Sequence, residues 1–311
     1  MAEKIPVWID TDTGVDDALA LLVAFQLEQL DIVGISAVCG NVEQEKTFRN
    51  ARAVTALANR SVPVYPGAEK PLMTTLEPAY YVHGEDGLGG AIIADSQEPL
   101  ETKMGFDALY EAAKKHPGEL EVIALGPLTN IALAIAKYHD FGKYIKRIIM
   151  MGGAAEGGNK TPCAEFNIYV DPEAAQGVFL SGIPIVMAGL DVTMKAYLEK
   201  EELDRIFEKK TAVSEFLYAA VQKAIAFMEC GGWADRFVPH DVVPVLYTVY
   251  PDLFRAEHCG VYTEIHSLPA RGRTVTDIWS DQKFTDRHVD VLMDVDRERF
   301  VQIITEKLAS Y

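Results

Sequence analysis

Positive charge is scarce in this chain of 311 residues: 29 lysines and arginines stand against 46 aspartates and glutamates, for a net charge of −17. So acidic a surface repels the phosphates of DNA and RNA, and no nucleic-acid partner is expected. An uncharged small molecule stays compatible. Cysteine is sparse too. Cys39, Cys163, Cys230 and Cys259 show no CxxC pair and no zinc-ligand spacing, and are expected to be reduced and structural. No apolar run is long enough to span a bilayer, and Met1-Ala2-Glu3-Lys4 leads into a strand without a hydrophobic signal region. A soluble cytoplasmic protein with no membrane partner is the expectation. Linkers, repeats and low-complexity segments are missing as well, so residues 1–311 read as one domain.

What the chain does contain is apolar residues, 49% of the total, enough to bury a large core. They fall into short β-branched runs that alternate with helical patterns. Strands are expected at Ile5 to Ile9, Ile32 to Val38, Val62 to Tyr65, Leu120 to Leu125, Arg147 to Met151 and Pro184 to Ala188. Helices follow most of them, as at Ala18 to Leu27 and Glu43 to Ala58, and Asp296 to Leu308 closes the chain. Two stretches, Glu69 to Gly90 and Ala154 to Tyr169, read as long irregular loops. Such alternation implies an α/β fold, a mostly parallel central sheet covered by helices on both faces. Ligands of these sheets sit beyond the carboxyl ends of the strands.

The densest chemistry lies where the first strand meets the first helix, in Asp10-Thr11-Asp12-Thr13-Gly14-Val15-Asp16-Asp17. Strand alternation sends Asp10 and Asp12 the same way, and Asp16 and Asp17 fall in the first helical turn, where the macrodipole favours negative charge. One or two acids would serve as a cap. Four so close repel one another unless a cation neutralises them, and all-oxygen ligation suits Mg²⁺ or Ca²⁺. Other candidates stand at later strand ends and loops: Asn41 after Gly40, His83 in a glycine-rich loop, and Leu125-Gly126-Pro127. Asn159, Glu165 and Asn167 offer a carboxylate and two amides to sugar hydroxyls. An unpaired buried Glu165 would be costly, which points to a ligand. His240-Asp241 comes last, after a loop holding Trp233 and Phe237, which either stack on a ligand ring or pack the loop.

Taken together, these motifs resemble the nucleoside hydrolases, the inosine–uridine-preferring family of metal-dependent N-ribohydrolases, over most of the chain. The resemblance implies hydrolysis of a ribonucleoside of the inosine–uridine or pyrimidine type to ribose and free base, with inversion at C1′. It implies Ca²⁺ held by Asp12, Asp17, the Leu125 carbonyl and Asp241, with Asp10 a supporting carboxylate that orients them. Asp16 becomes the base that activates water, and His240, near its ordinary pKa of about 6.5, the acid facing the leaving base. Asn41, His83, Asn159, Glu165, Asn167 and Trp233 become substrate contacts. A homotetramer or homodimer is implied as well. Two alternatives share the acidic motif: a Mg²⁺-dependent phosphatase with Asp10 as nucleophile, and a nucleoside-binding protein without turnover.

Overall fold

Period-two alternation divides the strands between two cores. The computed structural model describes residues 4–232, 236–279, 282–285 and 287–311. Its first six strands are β1 (Ile5–Thr11), β2 (Leu30–Ala37), β3 (Val64–Pro66), β4 (Leu120–Ala124), β5 (Ile145–Met151) and β6 (Ile185–Ala188). They are followed by β7 (Leu198–Glu199), β8 (Arg236–Phe237), β9 (Phe254–Cys259), β10 (Val261–Thr263), β11 (Thr274–Thr276) and β12 (Val289–Val295). Eight of these form one sheet in the order β3-β2-β1-β4-β5-β6-β12-β9. All neighbours run parallel except β9, antiparallel to β12 at the edge.

Helices cover both faces, as expected. Those most relevant are α1 (Val15–Phe25), α2 (Gln44–Leu57), α3 (Tyr80–His83), α4 (Gly105–Lys115), α5 (Thr129–Lys137), α6 (Phe166–Val170) and α7 (Pro172–Phe179). After them come α8 (Leu190–Thr193), α9 (Lys200–Phe207), α10 (Ala212–Cys230), α11 (Val242–Val249) and α12 (Arg297–Leu308). Ile9, Ile123 and Ile149 pack into one core with α1, α2, α10, α11 and α12. Trp8, Val122, Ile148 and Met150 pack into the other with α4, α5 and α7. Successive side chains on one strand thus serve opposite layers. Helix α1 is buried nearly all round, only Asp16 being partly exposed, as its unbroken apolar run requires. No described helix is long and apolar enough to cross a membrane.

The structure departs from the sequence reading in several places. Residues Phe166–Val170 form α6, where an irregular loop was expected, because Glu165 caps that turn with its own carboxylate. Tyr80–His83 forms the short α3 inside the first long loop. Strand β9 was unforeseen: Phe254–Cys259 is mostly exposed, so its polar residues give no strand-like alternation.

Close packing at the centre of the sheet is tested by one glycine. Gly34 pairs with Trp8 across β1 and β2, and a Cβ there would lie 2.3 Å from the Trp8 ring. That ring stacks on Tyr65 with centroids 5.5 Å apart and donates its indole N–H to Ser36 Oγ at 2.8 Å, so it has nowhere to swing. Gly34→Ala is expected to cost about 1–3 kcal/mol through overpacking, read as a lower urea midpoint at unchanged slope.

Candidate active site

The turn from β1 into α1 brings the carboxylates together through a dense set of local donors. Asp17 accepts from the Thr11 hydroxyl at 2.5 Å, from Gly14 N–H at 2.9 Å and from the Asn41 amide at 3.1 Å. Asp12 accepts from Asn41 N–H at 2.7 Å. Carboxylate oxygens of Asp16, Asp17 and Asp241 lie within 4.8 Å of one another, although Asp241 arrives from the far end of the chain at the start of α11. Burial, then the charges of Asp17 and Asp16, push Asp12 well above the usual carboxylate range. Burial and the neighbouring aspartates do the same to Asp241. Asp16 is raised to about 8, by burial first and Asp17 second.

These groups open on a cavity of about 280 Å³ that Asp12, Asp16, Leu125 and Asp241 help to line. None of the described residues lining it is a lysine or arginine. Four crowded carboxylates with no cationic side chain to balance them fit a hard divalent cation. Asp10 stands back from the cavity. It is fully buried, accepts from Ser36 and from the Asn130 amide (2.7 Å), and keeps Oδ2 unpartnered among the described residues. Burial raises it to about 7.

The expected sugar-binding side chains also line the cavity, although their hydrogen bonds alter two expectations. Glu165 is not unpaired: it accepts from the backbone N–H groups of Asn167 at 2.9 Å, Gly153 at 2.9 Å and Ile168 at 3.2 Å. The helix cap therefore accounts for its burial, and the cost argument for a ligand falls. Asn159 Oδ1 accepts from Phe166 N–H at 2.9 Å. The Asn167 amide donates to the Leu125 carbonyl at 2.8 Å and to the Met151 carbonyl at 3.2 Å. Asn41 binds Asp12 and Asp17 as well as lining the cavity.

Both histidines face the same space. Nδ1 of His83 accepts from Val15 N–H, the first amide of α1, at 3.1 Å and stands 4.0 Å from Asp16 Oδ1. Burial, then the neighbouring His240, lowers its pKa to about 3, so the ring is neutral with its proton on Nε2. Nδ1 of His240 lies 2.8 Å from Thr193 Oγ1. Burial takes its pKa down to about 4, which corrects the expectation that it carries a proton near neutrality. Phe237 is 2% exposed in the small β7–β8 pair and also borders the cavity. Trp233 lies outside the described residues.

Several groups at the site gave little signal in the sequence. Ser36 holds Asp10 from the end of β2, and Asn130 from the first turn of α5. Tyr81, Phe166, Phe227 and Met228 supply much of the apolar wall. Phe227 and Met228 belong to α10, whose helical period made them resemble core residues. Gly40 and Gly126 grip Asp12: a Cβ would sit 2.0 Å from its Oδ2 at position 40 and 2.6 Å from its Oδ1 at position 126. Gly40→Ala must therefore displace Asp12. A loss of roughly 10–100-fold in divalent-cation affinity is expected by titration calorimetry, with an unchanged circular dichroism spectrum.

Comparison with known proteins agrees with this architecture along its whole length. Residues 7–302 match the family model described as inosine-uridine preferring nucleoside hydrolase. The chain is 37% identical over 309 residues to the pyrimidine-specific ribonucleoside hydrolase RihA of Citrobacter koseri, covering 99% of each. It is 38% identical over 307 residues to the non-specific ribonucleoside hydrolase RihC of Escherichia coli, covering 98% of this chain and 99% of that one. Among solved structures, the plant nucleoside hydrolase PpNRh1 superposes with a TM-score of 0.92 at 31% identity, over 98% of this chain and 99% of that one. The purine-preferring ribonucleoside hydrolase from Gardnerella vaginalis gives the same TM-score and identity over 98% of both. An acidic cluster at the strand ends, amides and imidazoles around one cavity, and kinship over nearly every residue make this chain a member of the inosine-uridine preferring nucleoside hydrolase family, a nucleoside N-ribohydrolase.

Proposed function

We propose that the chain hydrolyses pyrimidine ribonucleosides, with inosine a further substrate, to ribose and free base on a Ca²⁺-dependent site. The observation that carries this reading is the meeting of an uncompensated carboxylate cluster and two neutral imidazoles in one cavity. Asp12, Asp17, the Leu125 carbonyl and Asp241 would hold the cation. Bound there, Ca²⁺ supplies positive charge that orients the ribose diol and the attacking water, but acidifies water far less than zinc does.

A separate base is then required. Asp16 takes the proton of the water: burial and Asp17 raise its proton affinity, which suits that task. Asn159 and Asn167 orient the ribose, and the Glu165 carboxylate stabilises positive charge growing on the ring. Attack by water in a single displacement inverts C1′. At the other end of the breaking bond, His240 and His83 offer neutral N–H groups as hydrogen-bond donors to the departing base, which leaves as an anion and takes its proton from solvent. Both rings are neutral at rest, so they act by hydrogen bonding until charge develops on the base. The names of the RihA relatives and the pair of histidines support the pyrimidine preference. The phosphatase alternative has less support, since its nucleophile, Asp10, does not line the cavity.

Two experiments test the reading. Uridine, cytidine, inosine, adenosine and guanosine are incubated with the protein after chelation, with and without added calcium, and free ribose is measured. Calcium-restored ribose release, fastest from uridine or cytidine, is expected; nucleoside binding without turnover across the panel would sink the proposal. In the second, Asp16→Asn is expected to lower kcat by roughly 10²–10⁴-fold while calcium still binds by calorimetry.

A further inference from the structure

Lys160 is the least explained charge near the cavity. It follows Asn159 in the loop after β5, yet its side chain is only 15% exposed. The ammonium lies 5.7 Å from the Tyr81 ring centroid, 5.9 Å from Phe166 and 5.5 Å from Tyr169. All three fall within the roughly 6 Å range of a cation–π interaction. Its one carboxylate partner among the described residues, Glu77 at 3.4 Å, is 58% exposed, and a pair so wetted contributes little. Glu77 is in turn bonded by the Tyr169 hydroxyl at 3.2 Å.

The members of this cage come from two separate segments. Glu77 and Tyr81 belong to the stretch that ends in His83, whereas Phe166 and Tyr169 sit on α6, between the ribose-side residues and α7. Beneath the cation, Leu76 and Ala79 of the first segment pack on Phe166 and Val170 of the second. Tyr81 and Phe166 also wall the cavity. Backbone bonds tie the cation to the sugar side, because Lys160 N–H and Asn159 N–H donate to the same Ala164 carbonyl, at 3.1 and 3.2 Å. Enclosing a lysine this way costs side-chain entropy and hydration that an exposed lysine keeps. Its return is attraction to rings on both segments at once, available only while the two are docked.

We propose that Lys160 is a positioning residue, a cationic clasp that docks the segment carrying Tyr81 and His83 onto the loop carrying Asn159 and Phe166. This rests on the hydrolase reading for its kinetic consequence but not for its structural one. A substrate that binds only the docked arrangement has an apparent dissociation constant divided by the docked fraction. Loss of the clasp therefore raises KM and leaves kcat near its wild-type value, since the bound state is already docked.

The test compares the wild-type protein with Lys160→Met, Lys160→Arg and Glu77→Gln. Hydrogen exchange is followed for amides 76–83 and, as an internal control, for those of β1 and β4; kcat and KM are measured with uridine. In Lys160→Met, which keeps the stem and loses the charge, exchange at 76–83 is expected to rise roughly 3–30-fold with the control unchanged. KM rises in step. Lys160→Arg, which keeps a cation over the rings, stays close to wild type, and Glu77→Gln moves far less than Lys160→Met. Wild-type exchange at 76–83 in Lys160→Met overturns the clasp, and so does a Lys160→Arg protein as loosened as Lys160→Met. Should the wild type release no ribose while Lys160→Met still exchanges faster, the hydrolase reading fails and the clasp stands.

Discussion

Repulsion among Asp12, Asp16, Asp17 and Asp241 is the constraint around which the site is organised. Carboxylates this close in a low-dielectric pocket hold their protons far more tightly than in water, and three of the four are driven upward by burial and by one another. The fold opposes that repulsion with geometry. Backbone and side-chain donors from Thr11, Gly14 and Asn41 fix Asp17 and Asp12, and bare glycines leave room for the Asp12 carboxylate. Apolar side chains of Phe166, Phe227 and Met228 line the same cavity and offer the carboxylates no balancing charge. What remains is a site prepared for positive charge: a cation among the aspartates, and a sugar ring that becomes cationic as its bond to the base breaks.

Much of this was legible because the strand-end rule and local motifs agree. Asp12, Asp16 and Asp17 lie within one strand–turn–helix unit, so their convergence needs only that one turn, whereas Asp10 stands back from the cavity. Asn159, Glu165 and Asn167 likewise sit in one loop leaving β5. The misread groups depend on structure that a motif alone does not carry. Glu165 looks unpaired until α6 forms and offers its amides. The depressed pKa of His240 is a consequence of burial, and the partner of its Nδ1, Thr193 on α8, lies far from it in the chain. Phe227 lies on α10 at the same period as the core positions, so helical spacing alone does not separate cavity wall from core. Strand β9 was hidden for the reverse reason: a solvated edge needs no apolar face.

Neutral imidazoles and raised carboxylates together describe a pocket that resists charge until ligands arrive. His83 is held in that state by the first amide of α1, the helix whose opening turn also carries Asp16 and Asp17. The two ends of the reaction are thus coupled through a single backbone turn. Displacing Gly14, against which His83 and Asn41 both pack, would disturb the carboxylate side and the base side at once.

The order of the central sheet carries a further consequence, for how the chain is made. Strand β6 is entirely buried and apolar, yet its outer partner β12 follows it only far along the chain, and β12 must enter between β6 and the edge strand β9. Residues 189–288 leave the ribosome while β6 has an open flank, on the order of 5–20 s at about 5–20 residues per second. Through that interval the nascent chain carries a sticky strand edge that β12 later seals. The closing helix α12, with Tyr311 donating its hydroxyl to the Leu22 carbonyl at 2.8 Å, then fastens the end of the chain to the helix that opened it.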